Sequence, residues 1–254
     1  MKKLLSKINI HRNIRVALVS VLLFACIGFT GTQQDSRICS DILVRIDNQY
    51  NNYFVDENDV RELVGTQAGG FVIGRRLDNI DLKAAEGRLL TSAYIDEAQV
   101  YKDIRGNIVA HVELARPIAR IMGANHTYIS DRGGFLPYSR RYAPRVLLLS
   151  GKGAERLPGK GSLLEQDAAL FDLLQFIYND PFWQAQIAEL VYTKEGEVIL
   201  HQQVGKQYIE FGKPENIADK FDRLHIFYKE ILPRKGWNYY EKVNLKYANQ
   251  IVCE

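Results

Sequence analysis

The stretch "LLLSGKGAERLPGKGS" is the part of the sequence closest to a site for phosphate chemistry. A strand, a glycine-rich loop and a helix in that order are typical of a P-loop, whose motif is G-x-x-x-x-G-K-[ST]. Counting back from Gly159 and Lys160, the first motif glycine falls on Ala154, and Gly161 replaces the hydroxyl residue that would hold Mg²⁺. The motif fails at both positions, so we predict a flexible, solvated loop without nucleotide.

The spacing of histidine, serine and cysteine gives no catalytic or metal-binding arrangement. No Gly-x-Ser-x-Gly elbow occurs, and no two histidines stand at a ligand spacing such as His-x-x-x-His. The histidines are His11, His111, His126, His201 and His225. We therefore predict a protein that is not an enzyme and uses no cofactor or metal. An exported enzyme acting on cell wall or peptide is an alternative, but no set of residues indicates its active site.

Four short charged motifs have structural or surface interpretations. "SDRGG" (130–134) is typical of a hairpin turn. "DEND" (56–59) lacks the spacing and the glycine of a calcium loop, so we predict that it caps a helix. "RPIARI" and "SRRYAPR" are basic but lack the aromatic interleaving of a nucleic-acid groove, which favours a solvated face or a protein contact.

The three cysteines, Cys26, Cys39 and Cys253, form no CxxC motif and have no nearby histidine. They indicate neither a disulfide framework nor a metal site. A bridge between Cys39 and Cys253 in an oxidising compartment is left open.

Basic residues at the start of the chain account for its net charge of +3. Residues 1–15 contain five basic residues and no acidic one, whereas the body from Asp35 onward has two more acidic than basic residues. A nearly neutral body lacks the basic surface that binds phosphates, so we predict no nucleic-acid partner.

Residues 16–34 carry no charge and are apolar as far as Phe29, which predicts a transmembrane helix because about 20 apolar residues span a bilayer core. A lipoprotein signal that ends before Cys26 and a cleaved signal peptide are alternatives. The positive-inside rule places the basic tail at 1–15 in the cytoplasm and the body on the other side of the membrane.

An α+β domain is predicted at 35–118. A strand at 38–48, helices at 55–65 and 77–92, and the hairpin "YIDEAQVYKD"–"NIVAHVELA" follow in the order β-α-α-β-β. The two helices can cover one face of a three-stranded sheet. Pro117 marks the expected boundary.

A second domain of mixed α and β structure, rich in antiparallel strands, is predicted at 119–254. It contains a helix at 163–178 with a capping box, and an amphipathic helix at 214–232. The short strands "IAELVYT", "EVILHQ" and "KQYIEFG" lie between them. Apolar and polar residues alternate through most of 243–253, which predicts an edge strand whose unpaired N–H and C=O groups could pair with another chain.

The layout of a basic tail, a membrane span, a β-α-α-β-β domain and a β-rich domain resembles the FtsQ/DivIB family of bacterial cell-division proteins. "VDENDVRELVG" and "IDLKAAEGRLLTSAYIDEAQVY" are similar to the polypeptide-transport-associated (POTRA) domain of that family, and "RGNIVAHVELARPIARI" is similar to its end. "YISDRGGFLPYS" and "YEKVNLKYANQIV" resemble the entry and the closing strand of the family's β domain. The motifs follow in the family's order over almost all of 15–254.

The resemblance implies a non-enzymatic divisome scaffold in the inner membrane at the division septum, with its body in the periplasm. In the family, FtsQ holds the FtsB–FtsL pair and links early division proteins to septal peptidoglycan synthesis, and FtsB adds a strand to the terminal edge of the β domain. The POTRA-like domain is then expected to dock upstream division proteins. The residues that match the partner-binding edge are Val243, Asn244, Leu245, Lys246, Tyr247, Ala248, Asn249, Gln250 and Ile251.

Two of these positions depart from the family pattern, with Asn244 in place of aspartate and Lys246 in place of arginine. Lysine keeps the charge but lacks the planar fork of donors that binds a carboxylate at two points. A POTRA-containing outer-membrane assembly or secretion factor is the alternative function, although no series of roughly ten-residue strands follows the POTRA-like region.

Overall fold

The computed structural model of the chain describes residues 17–24, 37–47, 52–67, 70–123, 126–159 and 161–254. The chain divides into two compact units. The first contains the strand at Ile42–Asp47 together with residues 56–91 and 97–112, and the second contains residues 113–254 together with short stretches at 52–55 and 92–96.

The predicted tail at 1–15 and part of the predicted transmembrane helix, residues 16 and 25–34, lie outside the described residues. Residues 17–24 are helical and exposed. Within the described ranges, no helix combines the length and the apolar character that crossing a membrane requires.

The first unit has the predicted β-α-α-β-β order, with an additional small hairpin after the first helix. Its elements are β1 (Ile42–Asp47), α1 (Glu57–Gly65), β2 (Thr66–Gln67), β3 (Gly70–Phe71), a 3₁₀ turn (Leu77–Asn79), α2 (Leu82–Leu90), β4 (Ile95–Lys102) and β5 (Ile108–Leu114). The three long strands form a sheet in the order β1-β5-β4, and β2 pairs with β3.

Aspartates begin both helices of this unit. The side chain of Asp56 accepts the backbone N–H groups of Asn58 and Asp59, and Asp59 accepts the N–H of Asp56 in return. This capping box confirms the structural interpretation of "DEND". The second helix begins at Leu82, later than predicted, because a 3₁₀ turn occupies Leu77–Asn79 and Asp81 then caps the helix.

The second unit is built on a nine-stranded mixed sheet. Its strands are β6 (Pro117–Ile121), β7 (Thr127–Ser130), β8 (Phe135–Leu136), β9 (Leu147–Ser150), β10 (Ile187–Tyr192), β11 (Val198–Gln202), β12 (Tyr208–Gly212), β13 (Lys242–Asn244) and β14 (Val252–Cys253). They lie in the order β14-β13-β12-β11-β10-β9-β6-β7-β8. The pairs β12–β13, β9–β10 and β6–β9 are parallel, and the other neighbours are antiparallel.

The helices of this unit lie in the connections between parallel strands. Between β9 and β10 are a 3₁₀ turn (Ala154–Arg156), α3 (Leu163–Gln166), α4 (Ala168–Asn179) and α5 (Pro181–Gln186). Between β12 and β13 are α6 (Ile217–Ile226), a π-helical turn (Phe227–Ile231) and α7 (Leu232–Lys235). Parallel neighbours require such long crossovers, because a tight turn can join only antiparallel strands.

The predicted helices of this unit are shorter and more divided than the pattern suggested. The helix expected at 163–178 breaks at Asp167, whose side chain accepts the N–H of Leu170 and so begins α4. The capping box of Ser162 and Glu165 is confirmed. Leu170, Leu174 and Ile177 of α4 lie in the core cluster, and each fully buried side chain of this size contributes roughly 1.5–3 kcal/mol.

Candidate functional site

The motifs that could have carried catalysis have structural roles. Among the described residues, no group of histidine, cysteine or acidic side chains is arranged to hold a metal ion. "SDRGG" closes the β7–β8 hairpin, as predicted. Gly133 has φ 81° and donates its N–H to the carbonyl of Ser130 at 2.9 Å, while Asp131 pairs with Arg116 at 3.6 Å.

The glycine-rich segment after β9 packs against the chain at the end of β10, so the prediction of a solvated loop was wrong for its first half. Gly153 donates its N–H to the carbonyl of Tyr192 at 3.0 Å. A Cβ at Gly153 would lie 2.2 Å from the carbonyl oxygen of Thr193. Ala154 and Leu157 are buried in the core. The glycine at position 153 thus permits close backbone approach.

The predicted edge strand at 243–253 is not continuous. It is divided into β13 and β14, and residues 245–251 turn the chain back between them. Val243 and Asn244 are consequently paired on both sides, in parallel with β12 and antiparallel with β14. The expectation that these two positions form an open edge was wrong, because the chain folds back and covers them itself.

The nine residues predicted to bind a partner differ in burial. Three of them are buried: Val243, Asn244 and Leu245. Five are exposed on the turn: Lys246, Tyr247, Ala248, Asn249 and Gln250. Ile251 is partly buried against the core. The structure therefore separates supporting side chains from accessible ones. The partner-binding role of both groups stays a prediction.

Asn244 and Lys246 are both engaged within this unit. The amide of Asn244 donates to Glu210 at 2.8 Å, and its oxygen accepts the backbone N–H of Lys246 at 2.9 Å. The ammonium of Lys246 donates to Glu197 at 2.7 Å, and this hydrogen bond raises the pKa of Lys246. Since both partners of the ion pair are more than a third exposed, the pair contributes only about 0–1 kcal/mol.

Arg223 of α6 holds the turn that joins β13 to β14. Its guanidinium donates to the carbonyls of Tyr247 at 2.7 Å and Gln250 at 2.6 Å, with a longer contact to that of Leu245 at 3.4 Å. It also pairs with Asp219 one helical turn earlier at 3.1 Å. The planar fork of arginine donors suits this task, because it can reach several carbonyl groups from one position.

The outer side of β14 is the accessible edge at this end of the sheet. The backbones of Glu254 and Lys242 exchange hydrogen bonds of 3.0 and 3.1 Å. The backbone N–H and C=O groups of successive residues point to opposite sides of a strand. Because those of Glu254 point toward β13, those of Cys253 point away from it. Within the described part of the chain, no strand pairs with that side. Burial raises the pKa of the Cys253 thiol, which packs toward the core.

Comparison with family models decides the relationship. The model described as FtsQ/DivIB, C-terminal related, matches residues 116–254, which are more than half of the chain. The chain belongs to the FtsQ/DivIB family. A POTRA-like domain model also matches residues 37–113 of this FtsQ/DivIB family protein. The comparison with individual curated proteins gave no match.

Membership in the FtsQ/DivIB family, together with the POTRA-like domain, supports a scaffold protein of cell division. Both are domains of non-enzymatic scaffolds, and family membership implies protein–protein interactions within the divisome.

Sequence reasoning missed two features of this FtsQ/DivIB edge, the fold-back of β14 and the role of Arg223. The run "YANQ" at 247–250 could have indicated the first, because Asn249 adopts a left-handed conformation with φ 57° that asparagine tolerates better than most residues. Arg223 gave no local signal, since it lies more than twenty residues from the carbonyl groups it binds.

Proposed function

We propose that this FtsQ/DivIB family protein is a membrane-anchored scaffold of the division septum that binds FtsB-like and FtsL-like proteins and links early division proteins to septal peptidoglycan synthesis. The observation that carries the proposal is the open outer side of β14, where the backbone groups of Cys253 face away from the sheet. Strand addition to such an edge is a recurring mode of peptide recognition, in which backbone hydrogen bonds supply much of the affinity.

The partner strand lies outside β14 and leaves β13 in place. Removing β14 from β13 would uncover Ile251 and Cys253, which pack against the core, and would break the backbone bonds between Lys242 and Glu254. Addition to the outer side carries no such cost. The exposed turn at 247–250 then flanks the added strand, with Tyr247 (52% exposed) as its largest accessible side chain.

The buried members of the predicted set support this edge indirectly. Val243 and Leu245 are fully buried, so they hold β13 against the core and cannot reach a partner. A deletion that extends back to Val243 would remove both side chains and damage the fold. A useful experiment must therefore change the edge without removing β13.

Anchoring by residues 16–34, with 1–15 in the cytoplasm and the body in the periplasm, completes the proposal. The uncharged run and the basic residues before it support this topology. A reporter enzyme fused after Glu254 is expected to be active only outside the cytoplasm, and cytoplasmic activity would contradict the topology. The POTRA-like unit is the surface we assign to upstream division proteins.

Proline at position 253 tests the edge directly. Cys253→Pro removes an outward N–H group but no hydrogen bond to β13, and proline is tolerated where the N–H of an edge strand faces solvent. Cys253→Ala is the matched control, because it shortens the side chain and keeps the N–H. Binding of the full chain in detergent micelles to a purified FtsB-like protein is measured by biolayer interferometry. We expect about a tenfold rise in Kd for Cys253→Pro and less than about threefold for Cys253→Ala.

Two results would contradict this arrangement. Equal Kd values for Cys253→Pro and Cys253→Ala would show that the partner does not use the outer side of β14. Tighter binding after deletion of residues 251–254 would show that the partner pairs with β13 and that β14 competes with it.

A further inference from the structure

A group of aromatic and basic side chains lies at the other end of the nine-stranded sheet, on the strands β6 and β7 and just after β8. Arg120 and Tyr128 are direct cross-strand partners, so their side chains share one face of the sheet. Ala119, Ile121 and Ile129, their neighbours in sequence, belong to the core on the opposite face. Arg120 and Tyr128 therefore face away from the helices.

The guanidinium of Arg120 lies between two tyrosine rings. Its central carbon is 5.7 Å from the ring centroid of Tyr128 and 5.6 Å from that of Tyr138, and the ring of His126 lies 5.8 Å from that of Tyr138. We call Arg120, His126, Tyr128 and Tyr138 the Arg120 cluster. Cation–π contacts of this kind fix the orientation of a guanidinium and leave its hydrogen-bonding capacity unused.

Three polar atoms of the Arg120 cluster are buried and have no hydrogen-bond partner among the described residues: Nε of Arg120, Nδ1 of His126 and the hydroxyl of Tyr128. Arg120 also forms no ion pair with any described residue, although its side chain is partly exposed. These three atoms are themselves enclosed, so the groups of the cluster that a partner can reach are the exposed part of Arg120 and the half-exposed ring of Tyr138.

The surroundings of the Arg120 cluster favour an acidic occupant. From Arg132 to Ala154 the sequence has five basic residues and no acidic one, and of these Arg132 already pairs with Asp96 and Glu113. Arg140 and Arg145 of this segment are exposed, and Tyr138 is 47% exposed. Tyrosine and arginine are also the side chains that most often dominate protein–protein interfaces.

We propose that the Arg120 cluster is a second docking surface, which binds an aspartate or glutamate side chain of a partner protein. The carboxylate pairs with the guanidinium of Arg120, which the two tyrosine rings hold ready for a planar, two-point contact. The exposed side chains of Arg140 and Arg145 attract the acidic stretch around that carboxylate. The basic run "RPIARI" thus gains in three dimensions the aromatic neighbours that it lacks in sequence.

Fluorescence anisotropy with two labelled peptides tests the proposal. The full chain in detergent micelles is titrated into a (Gly-Glu)₄ peptide and into its (Gly-Gln)₄ counterpart. We expect binding of the glutamate peptide only, weakened at least about tenfold by Arg120→Gln and less by Arg120→Lys, which keeps the charge. Arg140→Gln removes an exposed charge from the same segment and is expected to weaken binding less than about twofold.

Tyr138→Ala guards against loss of fold in the Arg120 variants, because the ring is half exposed and its removal leaves the core intact. We expect it also to weaken peptide binding at an unchanged Tm. Equal losses for Arg120→Gln and Arg140→Gln would overturn the proposal in favour of a diffuse basic surface. Binding to anionic phosphatidylglycerol vesicles but not to the glutamate peptide would overturn it in favour of a lipid site. Cys253→Pro is expected to leave peptide binding unchanged, since the sheet order places six strands between β7 and β14.

Discussion

Replacing Arg223 by glutamine is expected to loosen β14 without unfolding the second unit. The guanidinium makes two short hydrogen bonds, to the carbonyls of Tyr247 and Gln250, and one longer contact to that of Leu245. These bonds fix both ends of the turn that returns the chain to β13. Glutamine is uncharged and too short to reach the same carbonyl groups, so the turn would lose its attachment to α6.

The expected loss of opening free energy follows from the number of hydrogen bonds that are lost and from their exposure to water. A hydrogen bond to a charged group contributes roughly 1.5–3 kcal/mol when it is buried. Tyr247 and Gln250 are exposed, so water can replace part of each lost bond, and about 1 kcal/mol per short bond is a reasonable value. The local opening free energy of β14 should therefore fall by about 2 kcal/mol, which corresponds to roughly thirtyfold more frequent opening.

Amide hydrogen exchange measures this opening directly at Val252 and Glu254. We expect both amides to exchange roughly thirtyfold faster in Arg223→Gln, while amides of β10 remain unchanged. Asp219→Asn is the control, because it removes the ion pair of Arg223 and keeps its carbonyl bonds; the change should stay near twofold, as for an exposed helical pair. Acceleration below about threefold in Arg223→Gln, or an equal change in Asp219→Asn, would refute the role of Arg223 in holding the turn.

Three further outcomes are expected. Tyr228→Phe removes a buried hydroxyl for which the described residues offer no hydrogen-bond partner, so chemical denaturation should show an unfolding free energy that is unchanged or higher by up to about 1 kcal/mol. Tyr192→Phe should lower it by about 1–2 kcal/mol, because the hydroxyl of Tyr192 donates to Asp167. Burial raises the pKa of Tyr228 above its ordinary value, so the stability linked to its protonated form is complete below pH 10 and is lost as pH rises above that. The variant Tyr228→Phe should therefore lose less unfolding free energy than the parent chain between pH 10 and 11. An equal loss in both proteins would contradict this assignment. Gly153→Ala should lower the unfolding free energy by about 2–3 kcal/mol, because its Cβ would lie 2.2 Å from a backbone carbonyl oxygen. Gly87→Ala in α2, where a Cβ would meet no atom of the described residues within 4 Å, should raise it by about 0.5–1 kcal/mol. Similar Tm values for the two variants would contradict the close approach at position 153.

Local signals predicted most of the first unit correctly. Asp56 and Asp59 lie three residues apart in sequence, and their capping box depends only on that spacing. The hairpin of β4 and β5 likewise depends on two neighbouring apolar alternations and the turn between them. Such features need no information from distant residues, so a pattern within ten or so residues is sufficient to place them.

The candidate site was harder to predict, because the alternation of apolar and polar residues along a segment does not show which strands or side chains will lie beside that segment. The alternation at 243–253 correctly predicts that Val243 and Leu245 are buried. It also continues through residues 247–250, which form a turn and not a strand. Arg223, a residue of α6, binds the turn at this break from outside. A periodic pattern cannot reveal a contact of that kind.

The sequence by itself determined the family relationship, the order of the long elements in the POTRA-like unit and the amphipathic character of the helix at 214–232. Spacing and composition specify these properties along the chain. Only the tertiary structure decided that β14 forms the accessible edge, and that Arg120, Tyr128 and Tyr138 converge on one face of the sheet. The open edge and the cluster both depend on which strands become neighbours in the sheet. That strand order results from the packing of the whole sheet against its helices.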